Sequence, residues 1–297
     1  MKAIALTLAA LAASALPAAA LAVTPLGQVI LGETRLQGEK IGEFSALLRA
    51  PDGQGVLAVS DRGYLARLDL QVSDGRLTGV TPVALHLLTG PDGTALRDQG
   101  FNPEGAALLA DGSIAIVSEK GPRLAVFDSQ GKWLRDEPLP EPLRDASKQA
   151  SKKDGIESLG WTEATGFLAM TEEPQAGQPR DRHALFSTRA GAASFSTGAA
   201  DSVSIKGMET LDDRLFILER TKDDVTEAMA PWLRVIDLPA CLAGQDCTGT
   251  QLAIPVSDLA DADFEGLAAL EDGHFLMVSD DKIAGDLRSA FVLFRLE

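Results

Sequence analysis

The chain has 297 residues, with 27 basic against 43 acidic side chains and a formal net charge of −16 at pH 7. So acidic a protein is unsuited to a nucleic-acid groove or an anionic membrane surface, which excludes both as partners. With 45% apolar and 24% charged residues, it carries enough hydrophobic material for a large core and is not a disordered polymer.

The first 22 residues, MKAIALTLAALAASALPAAALA, combine Lys2, an apolar run broken by Pro17, and the small-x-small triplet Ala20-Leu21-Ala22. That is the pattern of a signal peptide cleaved before Val23. Residues 23–297 then form a single domain, expected to be periplasmic or secreted and monomeric. No later segment approaches the roughly 20 apolar residues of a membrane span, so no membrane insertion is expected.

After a strand-like stretch at 24–36, one phrase returns five times: EFSALLRAPDGQGVLAVSDRG (43–63), PEGAALLADGSIAIVSEKG (103–121), IESLGWTEATGFLAMTEEP (156–174), METLDDRLFILERT (208–221) and FEGLAALEDGHFLMVSDD (264–281). Each copy is a short apolar strand, a turn often built on Asp-Gly, a second strand rich in β-branched or aromatic residues, and a charged exit. Third strands follow at 64–70, 123–129, 183–189, 232–238 and 290–297, and fourth strands at 80–87, 132–139, 193–200 and 248–255. The last copy runs out of chain before a fourth strand, which the unpartnered 24–36 stretch can supply, removing an exposed edge. The predicted fold is therefore all-β: a five-bladed β-propeller closed by an N-terminal strand, with a six-bladed propeller as the alternative if 140–154 or 174–182 hides a degenerate blade. Cys241 and Cys247 bracket a short loop-like stretch and are expected to form a disulfide in an oxidising compartment.

The first strand of a propeller blade lies innermost, so equivalent residues of the five copies face one another around the axis. This slot reads Ser45, Glu104, Glu157, Glu209 and Glu265. Carboxylates about 5 Å apart repel by about 3 kcal/mol per pair at an effective dielectric near 20, and four of them by on the order of 20 kcal/mol. That rivals the stability of a whole domain. Protons, basic side chains reaching into the channel, or a bound cation could each relieve it. A hard divalent ion is the most economical remedy, and calcium, with six to eight oxygen ligands, suits such a set. The second strand leaves at the same end, bringing Asp61-Arg62, Glu119-Lys120, Glu172-Glu173, Glu219-Arg220 and Asp280-Asp281-Lys282 to one face. Asn102 and Asp263, two residues before Glu104 and Glu265, stand where they could support the slot.

EFSAL with SDRG, NPEG with SEKG, GIES, GMETL, and DFEGL with SDD together resemble the phytase-like (esterase-like) β-propeller family of exported bacterial proteins, over nearly all of the chain after residue 22. The chain is also similar to the calcium-activated nucleotidases, or apyrases. By that similarity Ser45, Glu104, Glu157, Glu209 and Glu265 would be calcium ligands, and Asp61 with Arg62 an acid-plus-arginine turn beside the substrate. That family tends to serine in the fourth slot, where this reading has Glu209.

The resemblance implies a calcium-dependent phosphoric-ester hydrolase acting on a small phosphorylated substrate such as phytate or a nucleotide. Asp61, Arg62, Glu119 and Glu219 are the candidate catalytic residues. The alternative is a non-catalytic propeller with a structural central calcium that binds a ligand or an envelope component. Lactonase-like chemistry would need a histidine near the ion, and of His86, His183 and His274 only His183, after PRDRH, merits a test. The inserts 140–154 and 221–231 are charged, and either could cap a face.

Overall fold

The computed structural model describes residues 21–151, 154–198, 203–223, 225–245, 247–280, 282–283 and 286–297, with the backbone alone for 282, 283, 286 and 287. Residues 1–20 of the expected signal peptide, and Asp281 of the expected charged face, lie outside the described residues.

Five four-stranded antiparallel sheets follow the five repeats. Their inner strands are Phe44–Arg49, Pro103–Leu108, Ile156–Thr162, Val203–Leu211 and Phe264–Ala269. Each touches the inner strands of both neighbouring sheets, and the fifth touches the first, which is a ring of five blades. The second strands are Val56–Ser60, Ile114–Ser118, Gly166–Thr171, Arg214–Lys222 and His274–Ser279. In the fifth sheet the outermost strand is Val23–Leu31, which runs antiparallel to Ser289–Leu296 from Val23 opposite Leu296 to Leu31 opposite Ser289.

The second strands read as unbroken apolar runs because both faces of each blade are covered by neighbours. In blade two Ile114 and Ile116 pack toward blade one, while Ala115 and Val117 pack toward blade three. Five apolar clusters result, one at each blade boundary. The cluster between blades three and four includes both half-cystines, since Cys241 and Cys247 form a disulfide beside the short helix Leu238–Leu242.

The inserts turn out differently from each other. Among the described residues of the 140–154 insert are two 3-10 turns, Glu141–Leu143, which buries Leu143, and Ala146–Lys148. In the 221–231 insert the second and third strands of blade four instead stay paired out to Lys222 opposite Met229.

Candidate functional site

Every inner strand is irregular at the same point. The ladder between first and second strands slips between Phe44 and Ala46, Pro103 and Ala106, Ile156 and Ser158, Ile205 and Gly207, and Phe264 and Gly266. A bulge of this kind re-aims the extra side chain. The residues it singles out are Ser45, Glu104, Glu157, Lys206 and Glu265. Small residues follow each, because neighbouring inner strands converge there. A Cβ on Gly207 would come within 2.6 Å of the Glu265 carbonyl oxygen, and one on Gly105 within 2.4 Å of the Leu159 amide nitrogen.

The fourth slot is thus a lysine. Glu209 lies three residues further along the strand, where its carboxylate accepts the Thr210 amide at 2.9 Å and the Ala269 amide at 3.3 Å. There it lines a cavity of about 300 Å³ at the far end of the inner strands with Leu48, Leu159 and Ala269. The expectation that Glu209 joins the ring is corrected. The repeat is defined by the bulge and the small residue after it, so IKG, not MET, is the counterpart of PEG and FEG.

Lys206 is 3% exposed. Its Nζ lies 2.6 Å from Glu157, 2.9 Å from Glu172 and 3.1 Å from Glu265, so its contacts reach blades three and five. Burial alone would lower the lysine pKa, but these carboxylates outweigh it and hold the ammonium charged, its pKa raised well above the usual value. Arg220, near the end of the second strand, continues the network. It pairs with Asp263, with Glu172 at 3.2 Å, and with the Ser204 hydroxyl at 3.2 Å, and Ser204 in turn donates to Glu173 at 2.6 Å. Asp263 therefore takes part through an arginine.

The opposite half of the ring belongs to blades one and two. Ser45 donates a short hydrogen bond to Asp61, and Asn102 donates one to Glu104, which places Asn102 behind its neighbour as expected. Burial pushes the Asp61 carboxyl up to about 6; the Ser45 hydroxyl opposes the shift, and Asp280 and Glu43 add to it. Burial also lifts Glu104 well above the usual carboxylate range, reinforced by Glu157 and Asp61. Arg62 pairs with Glu43 at 3.2 Å, its side chain is 33% exposed, and its buried Nε has no partner. Glu119 accepts the Gly155 amide at 3.0 Å and acts as a strut between blades two and three.

Glu219 is not at the mouth. It replaces the small hydroxyl found at the same register in the other blades (Ser60, Ser118, Thr171, Ser279) and turns into the sheet, where Arg234 and Gln251 bind it. Its catalytic assignment is corrected for that reason. His183 is likewise remote, since its Nε2 donates to the Val203 carbonyl at 3.1 Å and its ring stacks on Phe195.

Lys206 therefore relieves the ring from within, and burial biases the ring carboxyls Glu104, Glu157 and Glu265 toward their protonated forms. The slot residues do not fit a resident calcium on the axis: the fourth donor is an ammonium, and it already holds Glu157 and Glu265. Among the described residues no three His, Cys, Asp or Glu side chains are grouped to hold a metal ion. Lys206 and Arg234 escaped the sequence reading. For Lys206 the signal was present in the glycine that follows Glu104, Lys206 and Glu265 alike.

Solved structures of similar shape include the PQQ-bound aldose sugar dehydrogenase of Streptomyces coelicolor, 12% identical with a TM-score of 0.49, covering 95% of this chain and 100% of that one. The Pan2 WD40 domain of Neurospora crassa is 10% identical with a TM-score of 0.41, covering 92% and 95%. Neither bears on what this chain does. No curated protein matches it significantly. Residues 39–283 match the family described as phytase-like, esterase-like activity of phytase, and the chain belongs to that family.

Proposed function

We propose that the protein hydrolyses phosphoric esters outside the cytoplasm, at the end of the axis where Asp61 and Glu104 meet. One observation carries this reading: two carboxyl groups on adjacent blades, Asp61 held by Ser45 and Glu104 held by Asn102, are buried at the same end of the axis, and that burial raises the pKa of both, Asp61 to about 6. Groups poised in this way can give a proton to a leaving oxygen or take one from water. Protonated, they also present hydrogen-bond donors instead of negative charge to an ester anion. Arg62, part-exposed and with one nitrogen unpaired, is the cation that would meet that anion. Ser45 orients Asp61, and Asn102 orients Glu104. Family membership supports ester chemistry, and the Cys241–Cys247 disulfide supports an oxidising, extracytoplasmic setting.

A second reading, a ligand-binding propeller without turnover, is favoured by the saturation of Lys206 and Arg220 with carboxylates. Phosphate release from phytate and from nucleoside di- and triphosphates separates the two. The hydrolase reading expects turnover by the wild type that falls about 100-fold or more in Asp61→Asn and in Glu104→Gln. It fails if the wild type cleaves none of these esters, or if both variants cleave as fast as the wild type.

A further inference from the structure

We infer that the ammonium of Lys206 occupies the place a divalent cation would take on the propeller axis, joining blades three, four and five so that the chain keeps its ring together without a bound metal.

The Lys206 ammonium donates hydrogen bonds to Glu157 at 2.6 Å and Glu172 at 2.9 Å and forms an ion pair with Glu265 at 3.1 Å. All three contacts cross a blade boundary, because Glu157 and Glu172 belong to blade three and Glu265 to blade five. This is the mechanical task of a central ion. Blade four is reversed in sign at two registers together. It has Lys206 where the others have Ser45, Glu104, Glu157 and Glu265, and Arg220 where they have Asp61, Glu119, Glu172 and Asp280. Arg220 repeats the pattern one layer out, pairing with Glu172 of blade three and Asp263 ahead of blade five. A calcium ion among the same oxygens would require them at 2.3–2.6 Å and would sit against a buried positive charge. The ammonium and the ion compete for one set of ligands. This inference is independent of the ester reading, since its readouts are melting temperature and heat of calcium binding and not turnover.

The test compares the wild-type chain with Lys206→Ser, which gives blade four the slot residue of blade one, and with Lys206→Arg, each melted in chelator and in millimolar calcium. The wild type should move by less than about 1 °C between the two conditions and show no stoichiometric calcium binding by calorimetry. Lys206→Ser should melt on the order of 10 °C lower in chelator, since it leaves buried carboxylates uncompensated, and should regain several degrees in calcium. Lys206→Arg should stay near the wild type and remain indifferent to calcium. If Lys206→Ser does not fold in chelator, refolding in calcium gives the same reading. The inference is overturned by a wild type that chelator destabilises or that binds calcium stoichiometrically. It is equally overturned by a Lys206→Ser protein as stable as the wild type, or by one that calcium cannot restore.

Discussion

Arg234 grips Glu219 with two hydrogen bonds, Nε to Oε1 at 2.5 Å and a terminal guanidinium nitrogen to Oε2 at 3.2 Å, and the two side chains are 2% and 0% exposed. Gln251 adds a bond to Glu219 at 2.6 Å, the Thr248 carbonyl accepts from Arg234 at 2.6 Å, and the guanidinium lies 5.2 Å from the centre of the Phe195 ring. Blade four thus splits its Glu219-Arg220 pair, consecutive residues of one strand, with Glu219 locking the sheet and Arg220 joining the charge network around Lys206.

Removing one partner of such a pair strands a buried charge. Glu219→Leu and Arg234→Met should each cost about 3–5 kcal/mol, read as a fall in denaturant midpoint. The double variant should recover most of that loss, because a buried ion pair is worth little against apolar residues of similar volume. Turnover per folded molecule should be unchanged in all three. A catalytic Glu219 would predict the opposite: folded, stable protein with no activity.

His183 should make the protein sensitive to acid. Its Nε2 is committed to Val203, its Nδ1 is buried with no acceptor, and burial lowers its pKa to about 4. A second proton would therefore be buried without a partner. The unfolded chain binds that proton near pH 6.5, so the stability held above pH 6.5 drains away as pH falls toward 4. The ceiling is about 3 kcal/mol. His183→Phe, which keeps a ring against Phe195, should lose that portion of the pH dependence. Equal slopes for the two proteins between pH 7 and pH 4 in chemical denaturation would show that the imidazole is free to protonate.

The blades were legible in the sequence because their causes are local. Asp111-Gly112 makes its turn through a glycine at φ 81° and an Asp111 carboxylate that accepts the Ser113 amide at 2.9 Å, and both features sit within three residues. Two-sided burial writes itself as apolar second strands such as Ile114–Ser118. The slot was legible in four blades of five. It was misplaced in the fourth because a glutamate three residues on, followed two later by leucine, imitates the phrase, whereas the true marker is a slip in strand register that no single residue encodes. Lys206 and its three carboxylates are 34 to 59 residues apart, and Glu219 and Arg234 meet across a ladder. Charge pairing at such range has no local signature, so charge recurring in register disclosed the face but not which charges neutralise which.

The convergence of inner strands sets a steric limit at the slot. Gly207→Ala would press a methyl group against the Glu265 carbonyl oxygen at 2.6 Å, a backbone atom that cannot swing away. Overpacking of this sort costs about 1–3 kcal/mol. Gly32→Ala, at a site with nothing within 4 Å, should stay within about 0.5 kcal/mol of the wild type. Thermal melts of the two variants check the difference. Indifference at Gly207 would mean that blades four and five can part there without loss.

Glu209 distinguishes a structural carboxyl from a ligand. Burial raises its pKa to about 7, and the amides of Thr210 and Ala269, which favour the ionised form, only partly offset that. Because the folded pKa lies above the unfolded value near 4.5, the folded state is favoured most below pH 4.5 and loses stability as pH rises through 7. Glu209→Gln, which resembles the protonated acid, should match the wild type at pH 4 and exceed it above pH 7 by at most about 3 kcal/mol, less to the extent that water reaches the group. Calcium should not alter that difference. A cation ligand would behave in the reverse way: the glutamine would be destabilising at pH 8, and added calcium would widen the gap in favour of the wild type. Denaturation curves at pH 4 and pH 8, with calcium and with chelator, decide between the two, because the two roles predict opposite signs at pH 8.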